Sequence, residues 1–386
     1  MLEITPNGHT NGAGAGAGTN GHAGQEAHGH GAHPNGTGTA ERTFLPLVPR
    51  STAKLGMKDF KTDQEVRWCP GCGDYAILAA VQSFMPTLGL ARENTVFISG
   101  IGCSSRFPYY MNTYGMHSIH GRAPAIATGL ATSRPDLSVW VVTGDGDALS
   151  IGGNHLIHAL RRNVNLKILL FNNRIYGLTK GQYSPTSELG KVTKSTPMGS
   201  LDYPFNPVSL ALGAEASFVA RTIDSDRKHL TSVLEAAAHH RGTALVEIYQ
   251  NCNIFNDEAF ETLKDPATRD SYLIRLEHGQ PLVFGDRKVI RHPEIGALAV
   301  APADDPAPAV VHDVHAGPEH AFALSRLADP ATHDATAIGV LRDVDRPVYD
   351  ELMAKQLADA GYGQHEPDLD ALLRGNDTWT IGPLGA

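Results

Sequence analysis

The chain has 386 residues, of which 41% are hydrophobic and 19% charged, and its formal net charge is −9. This length suits one large α/β domain with appendages, or roughly two or three average domains. The acidic balance argues against a nucleic-acid binder, because phosphate neutralisation needs a clustered basic surface. The sequence has neither a long apolar run nor a signal-like N-terminus, so we expect a cytoplasmic protein without a membrane span.

The first segment, residues 1–42, is rich in glycine, alanine and histidine and has almost no large apolar side chains. Such a composition cannot bury enough surface to offset the entropy of ordering, so we predict a disordered tail. A solvated tail without a ligand is the favoured interpretation, with weak metal binding as the alternative. The histidines concerned are His9, His22, His28, His30 and His33.

Residues 53–257 alternate between short apolar runs and helical patterns. The predicted strands are Thr95–Ser99, Ser138–Thr143, Leu166–Phe171 and Ala244–Tyr249. The predicted helices are Tyr75–Phe84, Ala123–Ser133, Ile151–Arg162 and Lys228–His240. This alternation predicts an α/β fold, with a mostly parallel central sheet and helices on both faces. Ligands of such sheets bind in the loops beyond the carboxyl ends of the strands.

The pattern weakens after Asp257. Residues 297–311 are rich in alanine and proline and indicate a linker or an extended strap, and helices are predicted at Ser325–Ala328 and Val348–Ala360. We therefore divide the chain into the tail (1–42), an α/β domain (43–290) and a C-terminal extension (291–386). We expect the extension to pack on the core or on a partner subunit.

Two oxygen-bearing side chains follow neighbouring predicted strands. Asp145 stands in the turn Gly144-Asp145-Gly146-Asp147, and Asn173 follows the next strand, 28 residues later. A carboxylate and an amide oxygen from adjacent loops suit a hard cation such as Mg²⁺, which takes its other ligands from phosphate and water. The glycines let the backbone approach a diphosphate, whose charge the N-terminus of the following helix favours.

Four cysteines are distributed over three predicted loops. Cys69 and Cys72 share the tight turn WCPGCG, Cys103 follows the first predicted strand, and Cys252 follows the fourth. In a reducing compartment, clustered thiols serve metal or redox chemistry more often than disulfides. All four thiols can converge on one site. The residues alone leave open a [4Fe–4S] cluster, a structural zinc site or unliganded cysteines.

Several motifs carry a resemblance to a known family. The GDGD turn with its downstream NN pair resembles the motif that binds thiamine diphosphate, and the longer stretches IGGNHLIHALRRN and NNRIYGLTKGQYSPTS are more specific. They resemble the β subunits of 2-oxoacid:ferredoxin oxidoreductases, most closely the bacterial 2-oxoglutarate (KorB-like) type. The resemblance covers residues 53–290, and the remainder of the chain matches loosely or not at all.

The resemblance implies thiamine diphosphate, Mg²⁺ and one [4Fe–4S] cluster as cofactors of the 43–290 domain, with coenzyme A as co-substrate. It assigns Mg²⁺ to the side chains of Asp145 and Asn173 and to the backbone carbonyl of Ile175. It assigns the cluster to Cys69, Cys72, Cys103 and Cys252. The residues placed near thiamine diphosphate are Ile101, Gly102, Cys103, Ser104, His120, Gly121, Gly144, Asp145, Gly146, Asp147, Gly177 and Leu178.

Arg106 and Leu178 are the candidates for substrate selection. The resemblance links the position of Arg106 to the choice of 2-oxoacid, and the guanidinium fork suits the distal carboxylate of a dicarboxylic acid. A surface or subunit-contact arginine is an equally good interpretation. His155 and His158 lie three residues apart on a predicted helix, and we interpret them as packing or hydrogen-bonded residues rather than metal ligands.

The implied activity is that of an EC 1.2.7 oxidoreductase. It would convert 2-oxoglutarate and coenzyme A to succinyl-CoA and CO₂ and pass electrons through the cluster to ferredoxin, with pyruvate or another 2-oxoacid as the alternative substrate. No glutamate that would activate the aminopyrimidine is evident, and in two-subunit members it lies on a larger α subunit. We therefore expect an αβ or α₂β₂ assembly. The competing hypotheses are a non-oxidative thiamine enzyme and a non-catalytic zinc or electron-transfer module.

Overall fold

The computed structural model describes residues 47–363, 368–376, 378–379 and 382, so the tail predicted at 1–42 lies outside the described residues. The helices are α1 (Asp74–Phe84), α2 (Ala123–Ser133), α3 (Gly153–Arg162), α4 (Pro207–Gly213), α5 (Arg227–His239), α6 (Glu261–Lys264), α7 (Arg269–Tyr272), α8 (Pro318–Ser325), α9 (Tyr349–Asp359) and α10 (Leu369–Arg374). The strands are β1 (Thr95–Ser99), β2 (Tyr114–His117), β3 (Ser138–Gly144), β4 (Lys167–Asn172), β5 (Phe218–Ile223), β6 (Ala244–Tyr249), β7 (Leu273–Leu276), β8 (Val283–Phe284), β9 (Arg287–Arg291), β10 (Leu298–Pro302) and β11 (Thr336–Asp343). None of the helices in these ranges is long and apolar enough to traverse a bilayer.

The central sheet has eight strands in the order β2-β1-β3-β4-β6-β5-β11-β7. Every pair in it is parallel except β5 with β11, so the predicted mostly parallel sheet is confirmed. The four strands predicted from the sequence are β1, β3, β4 and β6, and each observed boundary lies within one residue of its prediction. A separate three-stranded antiparallel sheet consists of β8, β9 and β10.

Each face of the central sheet carries its own hydrophobic core. Along β3, Val139 and Val141 belong to one core, whereas Trp140 and Val142 belong to the other, as the two-residue period of a strand requires. Helices α2, α3, α4 and α8 contribute to the first core, and α1 and α5 contribute to the second. This layering confirms the helices predicted on both faces, and it explains why β4, β5 and β6 are buried along their whole length.

Helix predictions succeed where the apolar period is clear. Helices α1, α2, α5 and α9 lie within one residue of their predicted bounds. The helix predicted from Ile151 begins at Gly153, because a π-helical turn at Asp147–Ile151 precedes it. The helix predicted at Ser325–Ala328 is wrong: α8 begins at Pro318, where a missing N–H costs nothing, and ends at Ser325, shortly before Pro330.

The C-terminal extension is integrated into the sheet. Strand β11 lies between β5 and β7, and its Gly339 pairs with both Arg221 of β5 and Leu276 of β7. The segment predicted as a linker or strap contains β10, which pairs with β9 across the boundary drawn at residue 290. Contacts group the described residues of the extension with the α/β domain in one compact unit. The extension therefore completes the α/β core.

We expect the substitution Ile338→Ala in β11 to lower the free energy of unfolding by about 2–5 kcal/mol, because the side chain is fully buried and its loss leaves a cavity. Urea denaturation followed by circular dichroism measures the change. Leu372→Ala, at an exposed position of α10, is the control and should change stability by less than about 0.5 kcal/mol. Equal losses from both variants would show that β11 does not stabilise the core.

Candidate functional site

Four neighbouring strands end at one edge of the sheet. Strands β1, β3, β4 and β6 are consecutive and parallel, with Ser99 paired to Val142, Gly144 to Phe171, and Asn172 to Tyr249. The loops that follow them carry Cys103, the GDGD turn, the NN pair and Cys252. The sheet register therefore brings these four motifs to the same edge.

Asp145 lies directly after β3 and is 2% exposed. Its Oδ2 accepts hydrogen bonds from Ser184 Oγ at 2.5 Å and Thr186 Oγ1 at 2.6 Å. Burial raises the pKa of the Asp145 carboxyl, and the two hydroxyls act in the opposite direction. A desolvated carboxylate with few donors is strongly stabilised by a cation, so the environment of Asp145 suits a metal ligand.

The NN loop presents its backbone in a fixed conformation. Asn173 Oδ1 accepts a hydrogen bond from the Ile175 amide at 3.2 Å, and the intervening Arg174 adopts the left-handed region with φ of 58°. Asn256 Nδ2 donates to the Asn173 carbonyl at 2.9 Å, and Ser187 Oγ donates to the Arg174 carbonyl at 2.6 Å. The sequence-predicted cation ligands thus lie just after two adjacent strands, Asp145 after β3 and Asn173 and Ile175 after β4. Hydrogen bonds restrain the main chain of the loop after β4.

Gly146 allows the two loops to pack closely. A Cβ atom at Gly146 would lie 2.1 Å from the Tyr176 ring, and the Tyr176 hydroxyl donates to the Gly146 carbonyl at 3.1 Å. Only a glycine permits this approach. Gly177, the next predicted cofactor residue, follows Tyr176 directly.

Asp147 acts within the protein as a connector of loops. Its Oδ1 accepts hydrogen bonds from the Ile101 amide at 3.0 Å, the Gly121 amide at 2.7 Å and His120 Nδ1 at 2.6 Å. Its Oδ2 accepts from Thr143 Oγ1 at 2.6 Å. Although the resemblance places Asp147 beside the cofactor, its carboxylate is occupied by the protein's own donors. It therefore positions the loops that carry Ile101 and His120.

The remaining predicted cofactor residues divide into buried and exposed groups. Ser104 and Gly121 are buried, and a Cβ atom at Gly121 would lie 2.5 Å from the Gly152 amide nitrogen. Ile101 and Leu178 are exposed at 42% and 52%, unusual values for large apolar side chains beside a conformationally restrained loop. Exposed apolar side chains at the rim suit contact with a ligand or a partner.

The loops that carry the four cysteines meet at this edge, and all four residues are free thiols. A Cβ atom built on Gly177 would lie 3.5 Å from Cys103 Sγ and 3.6 Å from Cys252 Sγ. The WCPGCG turn contacts the loop after β6, where Asn253 Nδ2 donates to the Pro70 carbonyl at 2.6 Å. Gln250 Nε2 lies 3.3 Å from Cys72 Sγ. Cys103 and Cys252 therefore flank Gly177, and the turn that carries Cys69 and Cys72 contacts the loop of Cys252.

Within residues 47–363 and the other described ranges, no three His, Cys, Asp or Glu side chains are arranged to hold a single ion. With Zn–S bonds of about 2.3 Å, the sulfurs around one zinc would stand roughly 4 Å apart. A cubane cluster is larger than one ion and separates its thiolate ligands further. A zinc ion and a cluster therefore require different spacings of the thiols.

The electrostatic environment of the thiols also favours a cationic centre. Burial, followed by the charge of the buried Asp74 carboxyl, raises the pKa of the Cys72 thiol and raises that of Cys103 to about 12. Cys252 shifts in the same direction, mainly through burial. Thiolates at this place therefore require a positive centre such as iron, which reverses the effect of burial.

Arg106 lies one turn beyond Cys103 and is half-buried. Its Nε donates to the Tyr110 hydroxyl at 3.1 Å, and no carboxylate among the described residues forms an ion pair with it. Its charge acts on the Cys103 thiol, whose pKa it lowers. Arg106 is thus an unpaired cation beside the thiol ring, which fits either substrate recognition or electrostatic support of bound iron.

Sequence reasoning missed the residues that hold the site together. Ser184 and Thr186 belong to the YSPTS stretch, which carried the family resemblance, but no spacing rule linked them to Asp145. Gln250 and Asn256 were also missed. Their side-chain contacts depend on tertiary structure, and short polar side chains in loops give no periodic signal.

The comparisons with known proteins agree with this geometry. The family described as "Thiamine pyrophosphate enzyme, C-terminal TPP binding domain" matches residues 100–248. The chain is 60% identical over 360 residues to the 2-oxoglutarate oxidoreductase subunit KorB of Mycobacterium tuberculosis, covering 89% of this chain and 96% of that protein. It is 44% identical over 205 residues to the β subunit of 2-oxoacid:ferredoxin oxidoreductase 1 of Aeropyrum pernix, covering 53% of this chain and 64% of the relative.

A solved structure extends the similarity to three dimensions. It is described as a 2-oxoglutarate:ferredoxin oxidoreductase from Magnetococcus marinus with 2-oxoglutarate, coenzyme A and succinyl-CoA bound. The TM-score is 0.69 at 32% identity, and the alignment covers 86% of this chain and 100% of the other. The similarity therefore extends beyond the residues 100–248 that the family model matches.

We expect Asp147→Asn to lower the free energy of unfolding by about 1.5–3 kcal/mol, because an amide offers one acceptor and turns a donor toward the surrounding N–H and O–H groups. Urea denaturation measures the loss. The control is Asp136→Asn, which removes an exposed pair with Arg134 and should cost at most about 1 kcal/mol. An Asp147 variant as stable as the control would contradict the connecting role.

Proposed function

The chain belongs to the family of β subunits of 2-oxoacid:ferredoxin oxidoreductases, and we propose that its enzyme oxidises 2-oxoglutarate. The reaction consumes 2-oxoglutarate, coenzyme A and two oxidised ferredoxins. It yields succinyl-CoA, CO₂, two reduced ferredoxins and a proton. The 60% identity to a 2-oxoglutarate oxidoreductase subunit favours this substrate over pyruvate.

One observation carries the proposal: the loop predicted to bind the cofactor and the ring of thiols share Gly177. The two thiols nearest to it come from the loops after β1 and β6, and Gly177 belongs to the loop after β4. A substrate held by a cofactor against this loop would lie close to an electron acceptor held by the thiols. Oxidative decarboxylation needs this proximity, whereas a non-oxidative thiamine enzyme does not.

We propose that Asp145, Asn173 and the Ile175 carbonyl hold Mg²⁺ and, through it, the diphosphate of thiamine diphosphate. The buried carboxylate, the amide oxygen and the restrained loop supply oxygen ligands of the kind that Mg²⁺ accepts. Bound thiamine diphosphate supplies the electron sink for cleavage of the carbon–carbon bond. Gly146 gives the diphosphate close access to the backbone, and Asp147 keeps the Ile101 and His120 loops in place around it.

We propose that Cys69, Cys72, Cys103 and Cys252 hold one [4Fe–4S] cluster. Four free thiols on loops at one edge of the sheet and the Gln250 amide beside Cys72 support this assignment. The cluster supplies one-electron steps between the substrate and ferredoxin. Cys72, Cys103 and Cys252 are partly buried whereas Cys69 is exposed, and the charge of Arg106 offsets part of the negative charge beside Cys103.

The chain requires a partner. We propose an α subunit in an αβ or α₂β₂ assembly, which supplies the acidic group for the aminopyrimidine and contributes to coenzyme A binding. The exposed Ile101, Ile119 and Leu178 at the rim of the site support a covering surface. We further propose a cytoplasmic location, because a thiol-ligated cluster needs a reducing compartment.

We expect the complex of this chain with its α subunit, purified without oxygen, to show a broad visible absorption that bleaches with dithionite. It should reduce a viologen dye only when both 2-oxoglutarate and coenzyme A are present. Cys252→Ser should abolish dye reduction and disturb the absorption, because an alcohol is a poor ligand for iron. Binding of thiamine diphosphate by this variant, measured by calorimetry, should remain.

Metal analysis of the same samples distinguishes the outcomes. Iron near four atoms per chain supports the cluster. A colourless wild-type complex with stoichiometric zinc would contradict it, and full activity of the isolated chain would contradict the division of labour between subunits.

We expect Arg106→Gln to lower kcat/KM for 2-oxoglutarate by about tenfold to a hundredfold, because a charged hydrogen bond to the distal carboxylate is lost. Steady-state dye reduction with 2-oxoglutarate and with pyruvate measures the effect, and pyruvate turnover should change little. Arg122→Gln is the control, since Arg122 donates to the Ile151 carbonyl at the rim of the same site. Equal losses of kcat/KM on both substrates would show that Arg106 does not select the substrate and would favour a role in electrostatic support of the thiols.

A further inference from the structure

Arg174 is the residue between the two cation ligands proposed in the NN loop. Its backbone is in the left-handed region, which residues other than glycine and asparagine rarely adopt. Something outside the loop must stabilise this conformation, because the local sequence does not favour it. The backbone of Arg174 sets the directions in which Asn173 and Ile175 present their oxygens.

The Arg174 side chain is 5% exposed and is anchored by two distant segments. Its Nε donates to the Thr186 carbonyl at 3.0 Å, and the hydroxyl of Thr186 binds Asp145. Its Nη1 lies 2.7 Å from His333 Nε2, and its Nη2 donates to the Pro330 carbonyl at 3.1 Å. Its Nη2 also pairs with Glu188 Oε2 at 3.4 Å, so two of these four contacts come from the C-terminal extension.

His333 accepts a hydrogen bond from the Arg174 guanidinium. A guanidinium has no acceptor atom, so the contact requires a lone pair on His333 Nε2. Burial, followed by the charge of Arg174, lowers the pKa of His333 to about 4, which keeps the ring neutral. The ring packs beside Phe260 at 5.1 Å and Tyr249 at 6.0 Å between centroids.

The turn that carries His333 is restrained by its own contacts. Asp329 Oδ1 accepts hydrogen bonds from the amides of Ala331 and Thr332, each at 2.8 Å. Asp334 pairs with both terminal nitrogens of Arg287, at 2.9 and 2.7 Å. The turn is therefore attached to β9 as well as to β11, and this attachment fixes the position of the His333 ring that contacts Arg174.

We propose that His333 is a positioning residue for the divalent cation: its hydrogen bond to Arg174 holds the backbone between Asn173 and Ile175 in the conformation that presents oxygens to the ion. This inference rests on the proposed cation site. It assigns a task in the cofactor chemistry to a segment more than 150 residues away in sequence, since the contact joins positions 159 residues apart.

The test uses the full chain in complex with its α subunit, stripped of thiamine diphosphate and Mg²⁺. His333→Leu removes the acceptor, whereas His333→Gln retains one near the position of Nε2. We expect the Leu variant to bind thiamine diphosphate about tenfold more weakly at a fixed Mg²⁺ concentration, and the Gln variant to stay within about threefold of the wild type. Isothermal titration calorimetry measures the dissociation constants.

A merely structural role would not produce this pattern. His320→Leu is the matched control, because His320 is also buried in the extension but contacts His312 at 3.3 Å instead of Arg174. At saturating cofactor, the KM for 2-oxoglutarate of His333→Leu should equal that of the wild type. Equal weakening by the two Leu variants, or an unchanged dissociation constant in folded His333→Leu, would overturn the inference.

A further variant keeps the test decisive if His333→Leu does not fold. His333→Asn tolerates the positive φ of 60° at this position, but its amide is too short to reach Arg174 as Nε2 does. Binding should then be weaker for Asn than for Gln, and equal binding by the two would overturn the inference. A wild-type complex that binds thiamine diphosphate independently of Mg²⁺ would instead refute the proposed function.

Discussion

The site depends on one constraint: four adjacent parallel strands end at the same edge of the sheet. Because β1, β3, β4 and β6 are hydrogen-bonded neighbours, residues far apart in sequence are delivered to one edge without any long-range pairing of their own. Cys103 and Cys252 are separated by 149 positions and yet flank the same glycine, Gly177. The register of the strands brings the loops together, and the side chains on these loops determine which ligands can bind.

Buried acidic groups are handled in two different ways at this edge. The Asp147 carboxylate accepts hydrogen bonds from four donors, which lie in two loops and in strand β3, and needs no further partner. The Asp145 carboxylate receives two hydroxyls on a single oxygen, an arrangement that leaves it fit for a cation. Asp145 and Asp147 of the same GDGD turn thus have different roles, because different numbers of hydrogen-bond donors surround their carboxylates.

The sequence was informative where a pattern is local or repeated. Apolar runs located β1, β3, β4 and β6, because fully buried parallel strands are continuous apolar segments. Strand β5 escaped notice since it contains Arg221, whose charge is paired with Glu247 at 2.6 Å inside the sheet. Residue type and spacing also singled out the four cysteines and the GDGD turn as candidate ligands. The contacts of Ser184, Asn256 and His333 did not, because they join segments that only the tertiary structure brings together.

The position of β11 has a consequence for the biogenesis of the protein. Among the described strands of the central sheet, β7 pairs with β11 alone, and β5 keeps one edge unpaired until β11 is added. A chain is synthesised from its N-terminus, so the loops after β1, β3, β4 and β6 exist well before the sheet is complete. An open edge of this kind invites pairing between nascent molecules. Completion of the sheet is therefore a late event in the folding of each molecule.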